Sequence, residues 1–220
     1  MKTVVVIPAL NEEQRISMLL REVLRYAEQV VVVDDGSSDH TYDVAQRAGQ
    51  GVIALRHRLN LGKGSALKTG CEAALRLHAD RVVLMDSDGQ HKASDIPRLL
   101  KKMETQNVDI VFGSRKIGRA MPLVMMIGNA FLSRLTSVLF GIRISDTQSG
   151  FRSFRADVYS KIKWDSRRYS VETEMIVNAG KHKLKFAEVE IETIYHDNYK
   201  GTTFIDGIRI FLNILMWRII

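Results

Sequence analysis

Val82-Val83-Leu84-Met85-Asp86-Ser87-Asp88-Gly89-Gln90-His91 decides how the rest of this 220-residue chain is read. The apolar run has the composition of a fully buried strand, and the chain then turns sharply polar. Two carboxylates stand at i and i+2, with an amide two further on. A turn at Gly89 would bring Asp86, Asp88 and Gln90 round one pocket once the strand's alternation ends. Hard oxygen ligands at a strand end suit Mg²⁺ or Mn²⁺, which take few protein ligands and fill the other positions with water and substrate phosphates. The expectation is a metal and diphosphate site. Asp-x-Asp alone is also the composition of a solvated turn or a helix cap, so its neighbours must decide.

Upstream, the same unit recurs. Thr3 to Ile7 is a β-branched run ended by Pro8, then Asn11 offers an N-cap and Ile16, Leu19, Leu20 and Val23 keep helical spacing. Val30 to Val33 runs into Asp34-Asp35-Gly36-Ser37-Ser38-Asp39 and a short helix. Val52 to Leu55 is a third strand, and Asn60-Leu61-Gly62-Lys63-Gly64-Ser65 leads into a further helix. Strands alternating with helices predict a mostly parallel α/β sheet, Rossmann-like and flanked by helices, in which ligands gather at the carboxyl ends of the strands. Pro8 to Glu12, Asp34 to Asp39 and Asp86 to Gln90 should therefore crowd one rim.

Downstream, Asp109 to Phe112 is a strand ending in Gly113-Ser114-Arg115, which adds Arg115 to that rim. Ser145 to Arg152 reads as a polar turn with a basic exit, followed by a helix around Ala156 to Ile162. Tyr169 to Val177 starts a helix with Glu172 and Glu174 in its first turn, where the helix dipole favours acids. Phe186 to Tyr195 reads as a strand, and His196 to Thr203 as an exposed loop.

Composition narrows the function classes. With 45% hydrophobic residues the chain can bury one substantial core, and nothing in it requires a second domain. Formal net charge is +7 and pI about 9.6, favouring anionic partners. Neither zinc-ligand spacing nor a tandem basic-aromatic pattern is present, which argues against nucleic acid. Cys71 stands alone and fits a reducing compartment. His40, His57, His78 and His182 read as surface residues, and His91 as a ligand or a support for one. No uninterrupted apolar run approaches the roughly 20 residues of a spanning helix. Met121 to Phe140 and Phe204 to Ile220 are instead amphipathic and suited to lying on a bilayer, or to packing on the sheet. Residues 1–203 are expected to form the catalytic domain, and 204–220 an interfacial helix of the same domain.

Pro8-Ala9-Leu10-Asn11-Glu12, Val33-Asp34-Asp35-Gly36-Ser37, Asn60-Leu61-Gly62-Lys63-Gly64, Asp86-Ser87-Asp88-Gly89-Gln90-His91, Gly113-Ser114-Arg115 and Asp146-Thr147-Gln148-Ser149-Gly150-Phe151-Arg152 occur in this order. Together they resemble the family 2 inverting glycosyltransferases of the GT-A fold, and most closely the polyprenyl-phosphate branch to which dolichyl-phosphate mannose synthase belongs. The resemblance spans about residues 3 to 200. It implies that Pro8, Leu10, Glu12, Val33 and Asp35 hold base and ribose, with Lys63, Asp86 and Ser87 on the same nucleotide-sugar side. Asp88 and Gln90 would hold Mg²⁺ or Mn²⁺, and Asp88, Arg115 and Glu174 would carry the chemistry. Arg115, Arg152 and Lys200 would receive an acceptor phosphate.

The implied reaction is inverting transfer of a hexosyl group from a GDP- or UDP-sugar to polyprenyl or dolichyl phosphate, by a peripheral protein on the cytoplasmic membrane face. A lipid phosphate is already anionic and needs positioning, whereas a hydroxyl acceptor would need Glu172 or Glu174 as base. Hydroxyl transfer based on Glu174, and a non-catalytic sugar-nucleotide-binding module, remain as alternatives. The chain departs from the branch at Leu10, where Tyr is common, at Gly128-Asn129-Ala130, where an Arg is often found, and at His196 with Lys200-Gly201-Thr202-Thr203.

Overall fold

Alternate residues of the central strands serve two cores, which is why those strands read as unbroken β-branched runs rather than as alternating patterns. In the computed structural model, Val4 and Val6 of β1 (Thr3–Ala9), Val31 and Val33 of β2 (Gln29–Asp34) and Val82 and Leu84 of β4 (Arg81–Leu84) point to one face. Val5, Ile7, Val30, Val32 and Val83 point to the other. The model describes residues 1–115, 123–167, 170–192, 194 and 204–219, and the side chains of all these except 123–126 and 204–206.

The first face is covered by α3 (Lys63–Arg76), α6 (Tyr159–Ile162) and α7 (Val171–Lys181), the second by α1 (Glu13–Val23), α2 (Thr41–Gln46) and α4 (Ile96–Gln106). With β3 (Val52–Arg56), β5 (Ile110–Arg115), β6 (Arg152–Arg155) and β7 (Phe186–Ile191) the sheet has seven strands in the order β3-β2-β1-β4-β6-β5-β7. All pairings are parallel except those of β6, which runs antiparallel to both β4 and β5. This is the mostly parallel α/β sheet that the strand and helix alternation predicted, and the GT-A-like arrangement that the resemblance implied.

The chain steps outward from β1 to β2 and β3, then returns to the other side of β1 with β4. That reversal between β1 and β4 opens a crevice at the carboxyl ends of the strands. Register places the exits level: Ala9 pairs with Asp34 and Asp34 with Arg56, while Leu84 lies beside Val6. The antiparallel β6 starts at the same rim, with Arg152 opposite Leu84. The loops after β1, β2 and β4 and the turn before β6 thus converge.

Some sequence expectations need correction. Arg152, read as the basic exit of a turn, begins an internal strand that runs to Arg155. The strand expected to reach Tyr195 ends at Ile191. Asn11 does not cap α1. It adopts a left-handed backbone (φ 55°), and its side-chain oxygen accepts the N–H of Ser38 at 2.9 Å, tying the first two rim loops together.

The remaining helices, α5 (Leu123–Phe140) and α8 (Phe204–Ile219), pack on each other round Leu132, Ile210 and Ile214 in a small third core. Asn213 of α8 donates to the Ser170 hydroxyl at the start of α7 (3.0 Å). No helix among the described residues is long and apolar enough to cross a membrane.

Candidate active site

The convergent loops enclose a cleft of about 490 Å³ lined by Pro8, Ala9, Leu10, Glu12, Asp35, Asn60, Gly62, Lys63, Asp86, Ser87 and Asp88. Eight residues expected at the nucleotide and metal site are therefore brought together: Pro8, Leu10, Glu12, Asp35, Lys63, Asp86, Ser87 and Asp88. The loops are stitched by short polar contacts. Ser37 Oγ accepts the Asn11 N–H at 2.9 Å, and Thr41 Oγ1 accepts the Glu12 N–H at 2.7 Å.

Asp35 organises the next loop. Its Oδ1 accepts the Leu61 N–H (3.0 Å) and its Oδ2 the Gly62 N–H (2.7 Å), which draws the chain entering α3 against the end of β2. Gly36 makes that approach feasible. It has φ +76°, and a Cβ there would lie 2.7 Å from Asn60 N.

Lys63, the first residue of α3, reaches across the cleft floor. Its Nζ lies 2.7 Å from Asp86 Oδ1 and 2.7 Å from Glu172 Oε1 on α7. Burial opposes the lysine's charge, but Asp86 and then Glu172 outweigh it and raise its pKa above the ordinary value, so Lys63 stays cationic. For Asp86, burial is likewise outweighed by Lys63, which holds the carboxyl below its usual range. Gly150 packs directly on this carboxylate. A Cβ at that position would come within 2.6 Å of Asp86 Oδ2, which accounts for a glycine in the turn before β6.

Asp88 is in the opposite situation. Burial, then the charge of Asp86, raise its pKa, and the hydrogen bond from the Gln90 N–H to Oδ1 (3.0 Å) only partly offsets them. Among the described residues no ion-pair partner of Asp88 is found. A carboxylate lining a cleft and disfavoured by a neighbouring carboxylate fits a divalent cation, which would relieve both effects. No group of three His, Cys, Asp or Glu side chains able to hold a metal occurs among the described residues. Such a cation would have to take most of its ligands from water and a bound diphosphate, as a hard cation of this kind does. Gln90 meets Asp88 through its backbone N–H and does not line the cleft.

His91 supports the site from behind. Its Nδ1 accepts the Asp86 N–H (3.3 Å) and its ring stacks on Phe151 with centroids 5.0 Å apart. Burial lowers its pKa and keeps the imidazole neutral, consistent with that acceptor role.

Besides Gln90, four expected site residues among the described ones lie off the cleft lining or in other roles: Val33, Arg115, Arg152 and Glu174. Val33 is in the core under α3 and does not line the cleft. Arg115, close enough to His91 to disfavour its protonation, is gripped by Asp146 at two points, Nε to Oδ2 at 2.6 Å and Nη2 to Oδ1 at 2.9 Å. Burial of Asp146 is more than offset by this pairing, which holds its carboxyl below the ordinary range. Asn129 of α5 donates to the same carboxylate at 3.0 Å.

Arg152 is corrected outright. It is 1% exposed, and its guanidinium donates to the carbonyls of Ser149, Glu172 and Thr147 at 2.9, 2.5 and 3.1 Å. Burial brings its pKa down to about 10. An arginine so engaged fastens β6 to α7 and is not presented to an acceptor phosphate. Glu174 is corrected for a similar reason: its carboxylate accepts the N–H groups of Asp165 and Ser166, both at 2.9 Å, and so holds the loop that docks on α3. Glu172 is the acid that faces Lys63, with Oε2 buried and without a hydrogen-bond partner among the described residues. Lys200 lies outside the described residues.

His57, expected at the surface, is a further correction. It is largely buried, bridging Asp35 and Thr69. A single polar residue after a short strand carries no periodic signal that could have revealed this.

A parallel sheet with a switch-point crevice, aspartates after its fourth strand and a lysine-buttressed floor defines a protein that handles phosphorylated nucleotides. The match of residues 4–163 to the Glycosyl transferase family 2 model makes the class specific. The chain belongs to this family and is a glycosyltransferase, which removes the non-catalytic module. It is 39% identical over 98% of its length to an uncharacterised protein of Methanocaldococcus jannaschii, covering 91% of that protein. It is 33% identical to the UDP-N-acetylglucosamine–dolichyl-phosphate N-acetylglucosaminyltransferase of Methanococcus voltae, over 97% of this chain and 94% of that one. Among solved structures, glucosyl-3-phosphoglycerate synthase from Mycobacterium tuberculosis in complex with Mn²⁺, UDP and phosphoglyceric acid superposes with a TM-score of 0.76. The identity is 20%, over 99% of this chain and 78% of that one, a likeness of fold.

Proposed function

We propose that the protein transfers a hexosyl unit, with inversion, from a UDP- or GDP-sugar to a polyprenyl or dolichyl phosphate at a membrane surface, with Mg²⁺ or Mn²⁺. The observation that carries this reading is the pairing of unlike carboxylates on one rim: Asp86 paired with Lys63, and Asp88 without an ion-pair partner among the described residues and with its charge only partly offset. Glu12 and Asp35 supply acceptors for base N–H or ribose hydroxyl donors, with Pro8 and Leu10 as apolar walls. Asp88, with Gln90 beside it, would hold the cation, which when bound neutralises charge on the departing nucleoside diphosphate as a Lewis acid. Lys63 adds a fixed positive charge on the cleft floor, already oriented by Asp86 and Glu172, so little reorganisation is needed as negative charge develops.

A phosphate acceptor is favoured over a hydroxyl. Of the two acids the hydroxyl reaction could use as base, Glu174 is committed to two backbone N–H groups and Glu172 is paired with Lys63. Arg115, oriented by Asp146, is the cation assigned to the acceptor phosphate, joined by Lys200. The name of the Methanococcus voltae relative supports dolichyl phosphate as acceptor.

Membrane association is supported by the outer surface of α5 and α8. Ile127, Phe131 and Val138 of α5, and Ile208, Leu212, Leu215, Met216 and Ile219 of α8, are exposed, Val138 at 76% and Ile219 at 87%. Exposed apolar side chains on two helices that pack together suit a bilayer interface. On this reading residues 1–203 form the catalytic domain and 204–220 its interfacial helix, docked on the cytoplasmic face.

The test is incubation of purified protein with a panel of UDP- and GDP-sugars, polyprenyl phosphate and Mn²⁺ or Mg²⁺, with mass spectrometry of the lipid. A glycosyl phospholipid with stoichiometric nucleoside diphosphate is expected. Nucleoside diphosphate release with a hydroxylated acceptor only would reverse the acceptor assignment.

A further inference from the structure

His57 follows β3 and carries no role in any reading of the motifs, yet its ring lies between the cleft and α3. Its Nδ1 is 2.7 Å from Asp35 Oδ1, its Nε2 is 3.0 Å from Thr69 Oγ1, and its side chain is only 12% exposed. We propose that His57 is a positioning residue for nucleobase and ribose recognition, holding the Asp35 carboxylate in the orientation that receives the donor's nucleoside.

The inference rests on the assignment of Asp35 to the nucleoside and follows from counting acceptor sites. A carboxylate has about four lone-pair positions. On Asp35, Oδ1 takes His57 Nδ1–H and the Leu61 N–H, and Oδ2 takes the Gly62 N–H. Three directed donors fix the plane of the group and leave one acceptor position on Oδ2 for a ligand. Two of those donors are backbone groups that other residues could supply equally well. His57 is the side chain that makes the arrangement particular to this sequence.

Asp35 can only accept when ionised, so Nδ1 must be the donor. Neutral His57 then accepts the Thr69 hydroxyl proton at Nε2, and protonated His57 donates to the hydroxyl oxygen instead. Threonine serves either way, so the bond to Asp35 survives in both charge states. The order of groups resembles a hydrolytic triad, but here the carboxylate lines the cleft and the hydroxyl sits on the helix behind. The arrangement is suited to holding the acid, with no nucleophile presented to a substrate.

The experiment compares binding of UDP, GDP and inorganic pyrophosphate in Mn²⁺, together with donor KM and kcat, in the wild type, His57→Phe, His57→Asn, Thr69→Val and Asp35→Ala. His57→Phe is expected to weaken the preferred nucleoside diphosphate about tenfold, the loss of one hydrogen bond to a charged group, with pyrophosphate unchanged. Donor KM should rise while kcat stays within about twofold. His57→Asn, whose Nδ2 can occupy the Nδ1 position, should restore most of the affinity. Thr69→Val should show a smaller loss of the same nucleoside-selective kind, and serves if His57→Phe fails to fold.

Nucleoside diphosphate affinity unchanged in both His57→Phe and Thr69→Val, or equal losses for nucleoside diphosphate and pyrophosphate, would overturn the proposal. If Asp35→Ala weakens nucleoside diphosphate and His57→Phe does not, the His57 role alone falls. If Asp35→Ala also has no effect, the assignment of Asp35 falls with it.

Discussion

Asp86 and Asp88 are two residues apart and chemically unlike, because Asp86 is paired directly with a lysine, whereas burial and the charge of Asp86 outweigh the groups that favour ionised Asp88. The folded state raises the pKa of Asp88 above its unfolded value of 3.8, so the folded protein binds that proton more tightly. By linkage, ionised Asp88 destabilises the fold at every pH above the raised value, and the penalty disappears as pH falls to and below 3.8. Metal-free Asp88→Asn should therefore melt above the wild type at pH 7, with the two melting temperatures converging in acid. Its turnover should fall on the order of 10²-fold or more, the scale for removing a group that stabilises developing charge. The asparagine oxygen can still accept the Gln90 N–H, so the gain in stability should not be masked by a lost turn.

The acids of α7 separate in the same way. Glu174→Gln replaces one of two acceptors facing backbone N–H groups with a donor, and should lower stability by about 1–3 kcal/mol with a modest change in kcat. Glu172→Gln should change little in stability but lower kcat at least tenfold, since it removes one of the two charges that hold Lys63. Thermal melts and steady-state kinetics on the two variants check both halves. Equal behaviour of the pair would contradict the division of roles.

At the scale of elements, the β-branched runs of β1, β2 and β4 were legible because burial on both faces leaves no room for polar alternation. The helices were legible through their apolar spacing. β6 was not, since Arg152 and Arg155 are the first and last of its four residues and a buried arginine resembles an exposed one until its carbonyl partners are known. The cleft lining was readable where a carboxylate follows a strand, as at Asp35 and Asp86, or a glycine precedes a helix, as at Gly62. The supporting roles of His57 and Glu172 behind that lining were not readable, since they arise from contacts across long separations.

Two elements, α5 and α8, carry their own prediction. Their exposed apolar residues lie away from the cleft lining, so Phe131→Asp with Leu212→Asp should reduce co-sedimentation with anionic lipid vesicles by at least tenfold. Turnover with a detergent-soluble short-chain lipid phosphate should stay within about threefold. Vesicle binding equal to that of the wild type would remove the bilayer from the account.

Across the whole molecule, the sheet's reversal between β1 and β4 is what lets residues far apart in sequence share one cavity. Glu12, Asp35 and Asp88 follow three different strands and line the same cleft. From that convergence comes the central claim, that one divalent cation joins this rim to a nucleoside diphosphate. Titration calorimetry of UDP and GDP, in Mn²⁺ and in EDTA, on the wild type and Asp88→Ala tests it directly. One nucleoside diphosphate per chain is expected in Mn²⁺, with affinity lowered at least tenfold both by EDTA and by Asp88→Ala. Binding that neither chelation nor the substitution alters would contradict it.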